Sequence, residues 1–434
     1  MKQTTVRKTL LSLLVLVLAG ATFSTGCYDR VELEGMAFVV ALGLDKGPNN
    51  TIDVTVRIAV PGEMGGSNGA SSNAAQLGGS RPITVRANTI AGALTLLNST
   101  VERRVSLLHL TTIMIGENVA KEGVLNYVGP LVRMRDFRRT VTFFVVPGEA
   151  REIFTSNQPV LEKSMSRFHE SISEISRYTG LSLSNKLHDF MIATEEPNED
   201  PVAPVMAINQ KVKQQSQDSG TNGQQAQTGT REETMTGKKV SFKPGEVVRM
   251  GGNSLDFIGS ALFRKDKLIT YLDGLETRML LMIRGELLRT QMDFPDPQQK
   301  DKFEVIEIKH ARSPDLEINL DSDPIRISIR QKLEGDLIGV QSSIDYTEEN
   351  NMRVLEKSVS TTLQNMEKQL MERIFHEYQA APFMLFRHAR SQFSTVQELE
   401  EYPFREKLKT ADVSVQVDLN IRRIGVQLDP VGPK

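Results

Sequence analysis

"MAFVVALGLDKGPNNTIDVTVRIAVP" (36–61) sets the fold class of this 434-residue chain. FVVALGL is a compact apolar run, which marks a buried strand. Ile52, Val54, Val56, Ile58 and Val60 alternate with polar residues, which predicts a second strand buried on one face. DKGPNN between them is turn chemistry, because Gly and Asn tolerate positive φ and Pro fixes its own. The stretch therefore reads as a β-hairpin.

Working downstream, "GEMGGSNGASSNAAQLGGS" (62–80) has no hydrophobic period and reads as a flexible loop. Ile90, Leu94, Leu97 and Val101 then fall at helical spacing. LHLTTIMIG (108–116) and RRTVTFFVVPG (138–148) read as strands, and NVAKEGVLNYVGPLVRM between them as a helix broken near Pro130. Leu161, Met165, Phe168, Ile172 and Ile175 share a helical face that stops at Gly180. Another helical piece covers LSNKLHDFMIAT, and the acidic, Pro-rich connector EEPNEDPVAP follows it. Residues 211–239 are polar and Gln/Gly/Thr-rich. They bury too little surface to offset their ordering entropy, which predicts disorder. Residues 255–288 read as strand, turn at RKDK, strand, short helix and strand. KFEVIEIKHARS, LEINLDSDPIRISIRQKLEG and LIGVQSSIDY then give alternating strands. A long amphipathic helix runs from about Glu348 to Tyr378, its stripe marked by Val354 or Leu355, Val359, Leu363, Met366, Leu370 and Ile374. DVSVQVDLNIRRIG (412–425) closes the chain's ordered part as a strand. The fold class is α+β, with mixed and antiparallel sheets and packed helices. The domains expected are 27–180, 181–298 and 299–434.

Working upstream, Lys2, Arg7 and Lys8 precede an apolar run from Leu10 to Ala21, with no acid before Asp29. This is the layout of a secretory leader, and the run is shorter than the roughly 20 residues that span a bilayer. The leader ends Ser24-Thr25-Gly26-Cys27, small residues before the sole cysteine of the chain. That reads as a lipobox, which predicts cleavage between Gly26 and Cys27 and a diacylglycerol and acyl chain, palmitate among them, on Cys27. Ser24 stands where Leu is usual. Two or three acyl chains hold a soluble domain on a membrane where one is marginal, at about 0.8 kcal/mol per buried methylene. Removing residues 1–26 leaves 49 Lys+Arg against 54 Asp+Glu, which gives no electrostatic reason to bind nucleic acid.

The chain carries few of the motifs that would support chemistry. A lone cysteine excludes an internal disulfide and a thiolate cluster. The six histidines form no His-Glu-x-x-His pattern, so no metal site is expected, and His169 and His376 read as helix-surface residues. There is no Gly-x-Ser-x-Gly elbow and no phosphate loop. Glu195, Glu196, Glu199 and Asp200 lack EF-hand spacing and read as a solvated acidic loop. No catalytic residue is proposed. RMRDFRR stands out: Arg133, Arg135, Arg138 and Arg139 offer charge to anionic lipid headgroups or an acidic partner, against the plainer reading of a solvated loop.

Four stretches, met in order, resemble the Ger(x)C family, the lipoprotein C subunits of bacterial spore germinant receptors. They are GCYDRVELEGMAFVVALGLDK (26–46), LLHLTTIMIGENVAKEGV (107–124), GSALFRKDKLITYLDGLETRMLLMIRGEL (259–287), and the long helix with PFMLFRHARSQF (382–393) and VSVQVDLNIRRIG (413–425). Tyr28 replaces the family's usual Trp. The resemblance implies a three-domain, non-enzymatic lipoprotein without a cofactor. It implies attachment to the outer surface of the spore's inner membrane and action beside two membrane-spanning subunits in nutrient germination. The alternative weighed against it is the solute-binding lipoprotein of a transporter, which needs a two-lobed ligand cleft.

Overall fold

The hairpin forms and becomes the centre of a larger sheet. In this computed structural model, residue 7 and residues 10–15, 32–59, 81–159, 165–214 and 240–425 are described. Gly26, Cys27, the loop 62–80 and residues 215–239 lie outside the described residues. Residues 211–214, expected to be disordered, instead finish a helical turn over 210–214 that buries Val212.

Met36–Lys46 (β1) pairs antiparallel with Ile52–Ile58 (β2), Leu42 opposite Val56 and Leu44 opposite Val54. Ile83–Ala87 (β3) extends β2 antiparallel. Arg104–Ser106 (β4) runs parallel to the first residues of β1, and Thr112–Gly116 (β5) runs parallel to its later ones. Thr142–Val146 (β6) completes the order β3-β2-β1-β5-β6. Side chains of a strand alternate between faces. Leu42, Leu44, Ile113, Ile115, Phe143 and Val145 accordingly enter one core, and Ala41, Met114, Phe144 and Val146 enter another. Helices Ile90–Leu97 (α1), Glu117–Glu122 (α2) and Val124–Val132 (α3) supply Ile90, Val119 and Val124 to the first core. Ala150–Ser156 (α4) supplies Ile153 and Phe154 to the second.

Because both faces are covered, the one-face expectation for β2 fails: all seven of its residues are buried. Its polar side chains survive burial by pairing. Asp53 takes both arms of Arg86 at 2.6 and 2.8 Å, Thr55 meets Thr84 at 2.9 Å, and the Arg57 guanidinium donates to the Phe154 carbonyl. The expected break near Pro130 is also displaced. Pro130 rides in the last turn of α3, and the chain breaks at Gly123, whose φ is +134°. A Cβ there would lie 2.8 Å from Asp266 Oδ2, so the position needs glycine twice over.

Met165–Thr179 (α5) and Leu187–Glu195 (α6) follow, then Val202–Pro204 (β7). The two-residue strands Ala207–Ile208 (β8) and Leu255–Asp256 (β9) pair with each other. Ser260–Arg264 (β10) and Lys267–Leu272 (β11) pair across the expected turn and join β7 in the order β11-β10-β7. This small sheet has two occupied faces. Val202, Leu262 and Leu272 point into the C-terminal core, and Ala203, Ala261 and Phe263 point into the N-terminal one.

Gly274–Arg284 (α7) is framed by an Asp273/Glu276 capping box and a left-handed Gly285. Thr290–Pro295 (β12), Phe303–His310 (β13), Asp315–Asn319 (β14), Arg326–Val340 (β15) and Asp412–Arg423 (β16) then make a five-stranded sheet. LIGVQSSIDY is not a separate strand: its first four residues continue β15 through Gly335. β13 and β14 pair antiparallel with successive halves of β15, and β16 pairs with it parallel. A parallel pair requires a long crossover. Here it carries Glu349–Arg373 (α8), a π turn over 374–378, and the short helices Leu385–Ala389 (α9), Val396–Glu401 (α10) and Phe404–Leu408 (α11). α8 buries Leu355, Val359, Leu363 and Leu370 against the sheet, while Val354 is exposed. The architecture is the mixed α+β one expected from the sequence.

Candidate functional site

The four arginines of RMRDFRR fall in the loop between α3 and β6. Phe137 anchors this loop in the N-terminal core, Ser106 at the end of β4 donates to Asp136 at 3.3 Å, and the His188 amide donates to the Arg139 carbonyl at 3.0 Å. With its backbone fixed, the loop turns Arg133, Arg135, Arg138 and Arg139 outward, and all four are exposed. None has an ion-pair partner among the described residues. Arg138 also borders a cavity of about 280 Å³ with His109, Thr140 and Lys186. Cys27 and Gly26, the proposed lipidation and cleavage positions, lie before the first described residues of this lobe.

The acidic connector departs from expectation. Glu199 and Asp200 are not solvated but buried, because the C-terminal lobe closes over them. Asp200 Oδ2 accepts from the Ala381 amide at 2.8 Å and from Arg405, and the Asp200 amide donates back to the Ala381 carbonyl at 3.2 Å. Glu199 lies 3.3 Å from Arg387, and burial raises its carboxyl despite the nearby cation. Together with Ser182, Arg284 and Pro382 they border a cleft of about 850 Å³ between α6 and the 381–387 segment. The Arg284 side chain is only 6% exposed; its Nε donates to the Pro382 carbonyl at 2.6 Å and its Nη1 is 3.6 Å from Glu286. Glu199, Asp200 and Glu286 of the cleft thus each face an arginine. What the arrangement provides is a joint that fixes the two lobes, since losing an arginine leaves a buried carboxyl without its partner. Among the described residues, no three His, Cys, Asp or Glu converge on a point where they could hold a metal ion.

His376 is exposed, as expected, but His169 is not. It is 1% exposed, 2.9 Å from Thr112 Oγ1, and burial with Arg57 nearby pushes its imidazole down to about 3. α5 is rotated from the expected stripe: Phe168, His169, Ser173 and Ser176 face inward, and Ile175 is 54% exposed. The serines tolerate this because Ser173 bonds Ser184 at 2.7 Å and Ser176 donates to the Ile172 carbonyl at 2.8 Å. Glu367 is a second buried group that sequence reasoning missed. It is 0% exposed on α8, and Gln331 Nε2 of β15 donates to it at 2.6 Å. A signal was present, since Glu367 lies four residues after Leu363 and three before Leu370, on the apolar stripe itself. Asp200 had no such signal, because the residues that bury it come from 181 positions further along the chain.

Two family regions match this chain. The one described as "Spore germination protein N-terminal domain" covers residues 29–208, and the one described as "Spore germination B3/ GerAC like, C-terminal" covers 258–425. "Putative spore germination protein YfkR" of Bacillus subtilis (strain 168) is 24% identical over 363 residues, 83% of this chain and 81% of that protein. "Spore germination protein KC" of the same organism is 34% identical over 146 residues, 32% of this chain and 34% of that protein. The solved structure titled "Crystal Structure of the GerBC protein" is 15% identical with a TM-score of 0.49, covering 88% of this chain and 96% of that one. None of these matches supports the transporter-lipoprotein alternative. Matched in order by both regions over most of its length, the chain belongs to the Ger(x)C, or GerAC-like, family of spore germinant receptor C subunits.

Proposed function

We propose that the chain is a non-enzymatic, lipid-anchored subunit of a nutrient germinant receptor. It is held on the outer surface of the spore's inner membrane by acylated Cys27, and it stabilises or couples the two membrane-spanning subunits. The observation that carries this reading is the ordered match of both family regions. The leader pattern before Cys27 supports the anchor, and relatives named as spore germination proteins support the setting. No described helix is long and apolar enough to cross a membrane. Confinement to the membrane raises the effective concentration of the folded lobes near their partners without any new contact. The joint at Asp200 suits a coupling role, because a rigid body passes a displacement from one lobe to the other.

The test uses spores of the producing organism carrying wild type, Cys27→Ala or no copy of the chain. Dipicolinate release is followed after nutrients, with dodecylamine as a receptor-independent trigger. Loss of the nutrient response in both altered strains, with the dodecylamine response intact, is expected. Equal responses in all three strains, with no paralogue present, would sink the reading.

A further inference from the structure

The end of the N-terminal lobe where the chain enters carries six exposed arginines, which outnumber Glu34, Glu102 and Asp136 beside them. β1 begins at Met36, and there it pairs with Arg104, with Ala37 beside Val105 and Phe38 beside Ser106. Ser106 reaches the RMRDFRR loop through Asp136, and Phe38 packs on the His109 ring at 4.5 Å. Strand pairing therefore brings Arg103 and Arg104 to the same end as Arg133, Arg135, Arg138 and Arg139. All six are exposed, and none has an ion-pair partner among the described residues. Apolar side chains sit among them: Leu33, just before β1, is 73% exposed, and Leu108, which borders the cavity at Arg138, is 37% exposed.

Cys27 is nine residues before Met36. At most about 3.5 Å per residue, that is a tether of roughly 30 Å or less. An anchor on Cys27 consequently keeps Met36, and this end of the lobe with it, within about 30 Å of the bilayer.

We propose that this end is a docking face for a bilayer carrying anionic phospholipid headgroups. Arg103, Arg104, Arg133, Arg135, Arg138 and Arg139 meet the headgroups, while Leu33 and Leu108 enter the boundary between headgroup and acyl chain. The face goes beyond the anchor in that it sets the lobe's orientation on the membrane. It rests on the lipoprotein reading only for the tether.

The test places the full chain in vesicles of phosphatidylcholine alone or mixed with phosphatidylglycerol, and follows amide hydrogen exchange. Exchange over 103–109 and 133–140 is expected to slow about tenfold or more in the anionic vesicles only, the effect of one to two arginines at the surface. It is expected to recover in about 1 M salt, where the Debye length is about 3 Å. The variant Arg133→Gln/Arg135→Gln/Arg138→Gln/Arg139→Gln should lose the protection while exchange over 326–340 stays unchanged. Equal exchange in both vesicle types, with lipid on Cys27 by intact mass, overturns the docking face and leaves the anchor standing. Slowing only in spore membranes, and not in anionic vesicles, also overturns it, in favour of an acidic protein surface. Should Cys27 prove unmodified, flotation with anionic vesicles alone, lost in the quadruple variant, sustains the docking face. No flotation with either vesicle overturns the anchor and the face together.

Discussion

Asp200 and Glu367 are both buried carboxyls, and their surroundings give them opposite consequences. Asp200 has a cation and an amide from the far lobe. Asp200→Ala leaves the partly buried Arg405 with only the Glu199 carbonyl at 3.3 Å and the Ala381 N–H without its side-chain acceptor, so it should cost about 3 kcal/mol of unfolding free energy by urea titration. Adding Arg405→Ala should cost clearly less than the sum, since the stranded cation is already the main penalty. Additive losses would mean that the pair does not act as a unit. Glu367 has only a neutral amide, and burial pushes its carboxyl up from 4.5 to about 8. At pH 7 the folded state thus keeps a proton that the unfolded chain has released. Stability is full below about 4.5, falls by up to about 1.4 kcal/mol per pH unit as pH climbs toward about 8, and then levels off. Glu367→Gln should remove that slope and raise stability at neutral pH. Parallel pH profiles for the two proteins would show that Glu367 ionises freely.

Elements were legible where their period was their own. The hairpin, α8 and β16 all fall where spacing predicts them. Errors arose where another element decided which face is inside. β2 reads as half-buried because its alternate residues are polar, yet α4 covers that face, and Asp53 and Arg57 persist there only by pairing. α5 reads as an Ile175 stripe, but hydrogen-bonded serines let a neighbouring face turn inward. The α4 contact is also tight enough to test. A Cβ on Gly43 of β1 would lie 2.7 Å from Phe154 Cε2. Gly43→Ala should therefore lose about 1–3 kcal/mol to overpacking, and Phe154→Leu in the same chain should return part of it. A neutral Gly43→Ala would show that the ring moves aside freely. At the opposite end of the chain, α8 closes the outer edge of β16: Ser360 accepts from the Leu419 amide at 3.2 Å and Glu356 from the Ile421 amide at 2.7 Å. Glu356→Ala should speed exchange at Ile421 with little effect at Val413, and uniform acceleration along the strand would argue for general destabilisation instead.

At the scale of the whole molecule, the candidate site was half legible. Four of the six free arginines were visible as a charge run, but the other two, and the cleft beneath Asp200, depend on strand pairing and lobe contact that no local pattern encodes. The same is true of the β11-β10-β7 sheet, whose sequence shows two good strands and hides that each face serves a different core. Neighbouring residues of β10 divide between them. Phe263 meets Phe190 edge to face at 4.9 Å, which packs on Phe143 at 4.8 Å in the N-terminal core, while Leu262 points into the C-terminal core. A sheet shared in this way should make the lobes unfold together. Phe263→Ala should cost about 3–5 kcal/mol and Leu262→Ala about 2–5 kcal/mol. Either substitution should accelerate global amide exchange in β5 and in β16 alike, because losing one face of the sheet loosens the other. If Phe263→Ala acts only on β5 and Leu262→Ala only on β16, the lobes are independent folding units. Displacement would then not pass between them as through a rigid body, and the proposed coupling of receptor subunits would need a hinge in place of the joint at Asp200.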